Sequence, residues 1–169
     1  MAIKVITDST SDLPLDIAES LGIEVVPLNV HFGSEVYKDR VDLMPDRFYD
    51  MLINGDVFPT TSQPSVGEFI DVYERFAPDA DGIVSVHVSE KVSGTMNSAR
   101  LASQQAKADC PIEVVDTFQA SMGVGMVAME AARVANSGGD MNEVTLAARN
   151  AVTRCQCFVL LDTLEYLQK

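Results

Sequence analysis

Ile83-Val84-Ser85-Val86-His87-Val88-Ser89-Glu90-Lys91-Val92-Ser93-Gly94-Thr95 decides the fold. Val84, Val86 and Val88 alternate as β-branched apolar residues, the composition of a strand buried in a parallel sheet. Ser89, Ser93, Gly94 and Thr95 then crowd small polar groups where the next helix must begin. A helix start carries unpaired N–H groups and the positive end of the macrodipole, so strand, Ser-Gly-Thr and helix together have the makings of an anion cradle. The plainer reading is an ordinary helix cap, the commoner role of Ser and Thr ahead of a helix.

A second hydroxyl cluster, Pro59-Thr60-Thr61-Ser62-Gln63-Pro64-Ser65, stands just before an amphipathic segment from Val66 to Phe76 and reads as another helix start. Towards the N-terminus, Ile3 to Thr7 is a short strand that ends in Asp8-Ser9-Thr10-Ser11-Asp12, and Leu13-Pro14 opens a helix that stops at Gly22. Glu24 to Phe32 reads as the second strand, with Pro27 marking an edge position or a bulge because proline has no N–H to give a ladder. Gly33-Ser34-Glu35 suggests a hairpin with Val36 to Asp39 returning, and Phe48, Met51 and Leu52 give Pro45 to Asn54 a helical spacing.

Beyond the central strand, the pattern predicts a helix from Ser93 to Lys107 and a strand from Ile112 to Asp116. Helices from Ala120 to Asn136 and Asn142 to Thr153 follow, then a last strand from Cys157 to Leu161, with Asp162 to Lys169 beginning another helix. Strands alternating with helices predict an α/β fold, a mostly parallel sheet with helices on both faces and right-handed crossovers. Ligands of such sheets sit at the carboxyl ends of the strands, where both hydroxyl motifs are expected to fall.

The length of 169 residues suits one α/β domain. Twelve Lys and Arg against 25 Asp and Glu give a formal charge of −13, which disfavours nucleic acid and anionic membrane surfaces as partners. No apolar run is long enough for a membrane span, and Met1 to Val5 lacks the features of a secretory signal, so a cytoplasmic protein is expected. Cys110, Cys155 and Cys157 form neither a CxxC pair nor a ligand set with His31 or His87. Buried thiols are expected, with Cys155 and Cys157 on one face of a strand, and no metal or cofactor.

Three motifs invite chemistry. Gly123-Val124-Gly125-Met126-Val127-Ala128 matches G-x-G-x-x-A, but Thr117 to Met122 separate it from the preceding strand, so close helix packing accounts for it better. Asp8 to Asp12 could bind a cation or serve phosphoryl transfer; a loop held by side-chain caps is the simpler account, and between the two Asp8 and Ser9 could orient the hydroxyl motifs. His87 with Ser93 and Asp116 would make a Ser-His-Asp set, yet no G-x-S-x-G elbow is present and a lone strand histidine is more often structural.

Thr61-Ser62-Gln63-Pro64-Ser65 and Val88-Ser89-Glu90-Lys91-Val92-Ser93-Gly94-Thr95 occur in the order of two motifs of the DegV family of bacterial lipid-binding proteins, which the chain resembles. Ile6-Thr7-Asp8-Ser9-Thr10, Val26-Pro27-Leu28 and Asp162-Thr163-Leu164-Glu165-Tyr166-Leu167 extend the resemblance along the whole chain. It implies the family's N-terminal domain, with no catalytic residue, holding a long-chain fatty acid. Thr61 and Ser93 would meet the carboxylate, with Ser62, Gly94 and Thr95 beside them. Family members present the bound fatty acid to a separate fatty acid kinase subunit. They continue into a Gly-Gly-Arg segment and a second domain, so the resemblance casts this chain as an N-terminal piece, and His87 departs from the usual aliphatic residue.

A neutral cradle is physically adequate for such a head group, since each hydrogen bond to a charged group contributes roughly 1.5–3 kcal/mol net. Burial of some ten methylenes at about 0.8 kcal/mol each would add on the order of 8 kcal/mol before the costs of association. The alternative is a small-molecule phosphotransferase or hydrolase using the Asp8 loop and Ser93. A third is an interaction domain whose hydroxyls are caps alone.

Overall fold

A computed structural model describes residues 2–163. In chain order its elements are β1 (Ala2–Asp8), α1 (Leu15–Leu21), β2 (Glu24–Val26), β3 (Asn29–Phe32), β4 (Glu35–Lys38), α2 (Pro45–Asn54), β5 (Thr60–Ser62), α3 (Val66–Phe76), β6 (Ala80–His87), α4 (Thr95–Gln105), β7 (Ile112–Asp116), α5 (Met122–Asn136) and α6 (Met141–Arg154). β2, β1, β6 and β7 lie side by side in that order, all parallel, which is the α/β architecture expected.

Strand periodicity sorts the side chains between two cores. Ile3 and Val5 of β1 point with Val84, Val86 and Val88 to the layer of α1, α5 and α6, where Val124, Val127, Ala128, Ala131 and Val144 pack. Ile6, Ile83 and Val26 point the other way, onto Phe69 and Tyr73 of α3 and Ala99 and Ala102 of α4. The small residues of α5 allow close approach: a Cβ on Gly125 would fall 2.7 Å from the Ser11 carbonyl oxygen. Helix packing therefore accounts for the G-x-G-x-x-A run, as its distance from the preceding strand suggests.

The stretch expected as one strand from Glu24 to Phe32 is two. β2 forms the edge of the parallel sheet and β3 belongs to a separate antiparallel sheet of order β4-β3-β5. Pro27 and Leu28 join them, and proline's missing N–H ends one ladder where the next begins. β3 and β4 form the expected hairpin, with Gly33 at φ 62° in its turn. Val30, Phe32 and Leu43 make this sheet's own small core, with Phe48 and Met51 of α2 against it.

Cys157 to Leu161 forms no strand. A strand needs a partner backbone, and here the side chain of Gln119 supplies the bonds instead: Nε2 donates to the Cys155 carbonyl at 3.0 Å and Oε1 accepts from the Cys157 N–H at 2.9 Å. Phe158, Val159, Leu160 and Leu161 are exposed, and so is Cys157, while Cys110 and Cys155 are half-buried, so the expected buried thiols are not found. The helix expected beyond Asp162 lies mainly outside the described residues. Among the described residues no helix is long and apolar enough to cross a membrane.

Candidate functional site

Ser93 stands in the turn between β6 and α4. Ser89 anchors that turn through its carbonyl, which accepts from the N–H groups of Val92 at 2.9 Å and Ser93 at 3.1 Å. The helix begins at Thr95, two residues later than Ser93, and Gly94 is its N-cap without a side-chain bond. Ser93 Oγ supplies the missing acceptor, taking the Thr95 N–H at 3.2 Å, and lies 2.9 Å from Thr95 Oγ1. With Thr95 as donor in that pair, Ser93 Oγ accepts two hydrogen bonds and keeps its own proton to give outward. Ser93 is half-buried and Thr95 fully buried, so the pair presents one hydroxyl rather than two.

Thr61 and Ser62 are not at a helix start, contrary to expectation. They lie on β5, paired with β3 through Val30 opposite Thr61 and Asn29 opposite Ser62, and α3 begins only at Val66 behind a capping box of Ser65 and Glu68. A strand of three residues carries no readable periodicity, whereas the amphipathic run from Val66 to Phe76 is a strong local signal that drew the whole cluster into the helix start. Ser62 Oγ is held by His31 Nε2 at 2.9 Å and lies 3.4 Å from Asn29 Nδ2, while Thr61 is exposed.

The two motifs nevertheless meet. A Cβ on Gly94 would come within 2.9 Å of Gln63 Nε2 and 3.0 Å of its Cδ, so the side chain of Gln63 lies directly against Gly94. Thr61 also lines an apolar recess of about 670 Å³ formed with Phe48, Leu52, Ile53, Phe58 and Pro59. Sequence reading missed Gln63 as the contact and Phe58 and Ile53 as lining. The helical spacing of Phe48 and Leu52 was visible, but which way that face turned was not.

Beneath the site runs a polar network that no spacing in the sequence announces. Asp8, at the end of β1, Ser85 and His87 of β6 and Tyr73 of α3 have no exposed surface. His87 Nδ1 is 2.8 Å from Asp8 Oδ2 and its Nε2 is 2.6 Å from Ser85 Oγ, which in turn lies 2.9 Å from the Tyr73 hydroxyl. Asp8 also accepts the Val88 N–H at 3.3 Å, the Thr10 N–H at 3.0 Å and the Thr10 hydroxyl. Burial pushes the Asp8 carboxyl up, but the His87 bond and charge, the Thr10 hydroxyl and the Val88 N–H together outweigh it, and the group ends below its ordinary value of 3.8. Burial raises Tyr73 far above its ordinary range.

His87 is thus structural, and its partners are Ser85 and Asp8 rather than Ser93 and Asp116. Asp116 instead caps the neighbouring turns, accepting from the N–H groups of Phe118 at 2.8 Å and Glu90 at 3.3 Å. An Asp8 with both oxygens engaged and no exposed surface has nothing to offer a cation or a phosphoryl group, which removes Asp8 itself, though not the exposed Asp12, from the phosphotransferase alternative.

Residues 2–169 match the family described as DegV. A DegV domain-containing protein of Clostridium perfringens is 39% identical over 172 residues, covering 100% of this chain and 60% of that relative. A Thermus thermophilus DegV family protein whose structure is described as showing fatty acid binding is 39% identical, with a TM-score of 0.81 over 90% of this chain and 54% of that one. DegV of Bacillus subtilis, described as a fatty acid binding protein, is 30% identical with a TM-score of 0.83 over the same shares of the two chains. The chain therefore spans little more than half the length of the proteins it matches.

Proposed function

The chain belongs to the DegV family, and on that premise we propose that it binds a long-chain fatty acid without catalysis, its carboxylate held by Thr61 and Ser93. The observation that carries this reading is the position of Thr61, on the rim of an apolar recess in a motif whose Gln63 abuts Gly94 of the Ser93 turn. Ser62, Gly94 and Thr95 also shape the site: Ser62 is tied to His31, Thr95 orients Ser93, and Gly94 leaves room for Gln63. Two hydroxyl donors and the backbone at the start of α4 suit an anion, and a recess of several hundred cubic ångströms suits an alkyl chain.

The bound acid would be presented to a separate kinase subunit, as the resemblance to the family implies, and the portion by which relatives are longer would complete the enclosure. Extraction of the purified chain into organic solvent, followed by mass spectrometry, tests the reading: co-purified fatty acid is expected, below one equivalent per chain. No lipid in the extract, together with no heat on titration with oleate, would overturn it.

A further inference from the structure

Asp8 and Ser9 are adjacent, buried and aimed at two different parts of the chain. Asp8 Oδ2 takes the N–H of Val88, the residue before Ser89, whose carbonyl shapes the turn that delivers Ser93. Ser9 Oγ takes the N–H of Leu28 at 3.0 Å, and the next residue starts β3, whose pairing with β5 places Thr61 opposite Val30. Leu28 lies in the two-residue link between β2 in one sheet and β3 in the other. His87 and Thr10 fix both oxygens of Asp8, so the carboxylate cannot turn away from Val88.

We propose that Asp8 and Ser9 are the positioning residues of the hydroxyl site, one carboxylate and one hydroxyl that set the spacing between the strand carrying Thr61 and the turn carrying Ser93. This rests on the fatty-acid reading above. Neither residue touches the ligand; Asp8 acts on the Ser93 turn through the Val88 N–H, and Ser9 on β3 through the Leu28 N–H. A site built of two hydroxyls from two sheets needs such a ruler, because a carboxylate spans a fixed distance and a shift of either donor by a fraction of an ångström weakens its bond.

Two measurements on the Ser9→Ala and Asp8→Asn variants test this. In amide spectra of the unliganded protein, Ser9→Ala should shift Leu28, Val30 and Thr61 and leave Ser89 and Ser93 in place, and Asp8→Asn should do the reverse. In titrations with oleate and oleyl alcohol delivered from cyclodextrin, Ser9→Ala should weaken oleate roughly tenfold while the alcohol, held by its chain, stays within about twofold. Should Asp8→Asn fail to fold, Ser9→Ala carries the test alone. If Ser9→Ala lowers the melting temperature while Thr61 keeps its shift, or if both ligands weaken equally, the positioning role is wrong and the fatty-acid reading stands. If the unaltered chain takes neither ligand, that reading falls and this one with it.

Discussion

Nδ1 of His87 lies 2.8 Å from Oδ2 of Asp8 across 79 positions of sequence, and both side chains are wholly buried. The bonds beyond the pair can run in either direction. With a neutral ring Nδ1–H donates to the ionised Asp8, so Ser85 donates to Nε2 and Tyr73 to Ser85; with an imidazolium Nε2–H donates to Ser85, Ser85 to Tyr73, and Tyr73 to the Ala99 carbonyl at 3.5 Å. The network therefore stays satisfied in either protonation state of the ring, provided Nδ1 keeps its proton.

Acid should undo part of this. Asp8 titrates below its ordinary 3.8, so its contribution to stability is full above the unfolded value and disappears as pH falls through the lower folded one. The difference in unfolding free energy between the wild type and Asp8→Asn should be constant from neutral pH to about pH 5 and shrink below about pH 4, measured by urea unfolding across that range. A difference that grew towards acid would reverse the sign of the argument.

His87→Leu removes a principal partner of a buried carboxylate while keeping the volume apolar. The uncompensated charge should cost about 3–5 kcal/mol, far more than loss of a surface pair, and pairing the change with Asp8→Leu should recover much of it. Chemical denaturation of the two single variants and the double one gives both numbers.

Thr61→Val and Ser93→Ala should separate. Thr61 is exposed on β5, so valine there leaves stability within about 0.5 kcal/mol while lowering fatty-acid affinity by roughly 1–3 kcal/mol. Ser93 also caps the start of α4 through the Thr95 N–H, so alanine should cost about 0.5–2 kcal/mol of stability besides a similar loss of affinity. Oleate titration and thermal unfolding of each variant check this, and non-additive binding losses in the double variant would mark a shared acceptor.

Gly94→Ala should be felt through Gln63. The backbone there, at φ −72°, suits any residue, so only the added methyl matters, and it meets the flexible end of one side chain. A modest loss of about 1 kcal/mol is expected, and it should vanish when Gln63 is also shortened to alanine. An unchanged penalty in the double variant would place the obstruction elsewhere.

Thr145→Val should stabilise the protein. The Thr145 hydroxyl is buried on α6 without a hydrogen-bond partner among the described residues, and valine keeps the shape while removing the unpaired group. A gain of about 1 kcal/mol in urea unfolding is expected.

Local signals carried most of the fold. The alternation of Val84, Val86 and Val88 named the central strand, and Gly22 and Ser137-Gly138-Gly139 marked helix ends to within a residue or two. What failed depended on partners far along the chain. Pro27 splits its strand because two sheets compete for the flanking residues, and Phe158 to Leu161 has the composition of a strand but pairs with no backbone among the described residues. The site divides the same way. Thr61 and Ser93 are candidates by motif order, whereas His87 with Asp8, and Gln63 with Gly94, are contacts that no spacing encodes.

β1 lies between β2 and β6, but only β2 is near it in sequence. As the chain leaves the ribosome, about 80 residues must emerge before the other edge of β1 can be paired, and loop closure over that length delays the parallel sheet's completion. Until then the Asp8 carboxylate can reach only its local partner Thr10, on a strand with one open edge. The arrival of His87 closes the edge and claims the carboxylate in one event, so the last strand to dock in the centre of the sheet is also the one that brings the Ser93 turn into place.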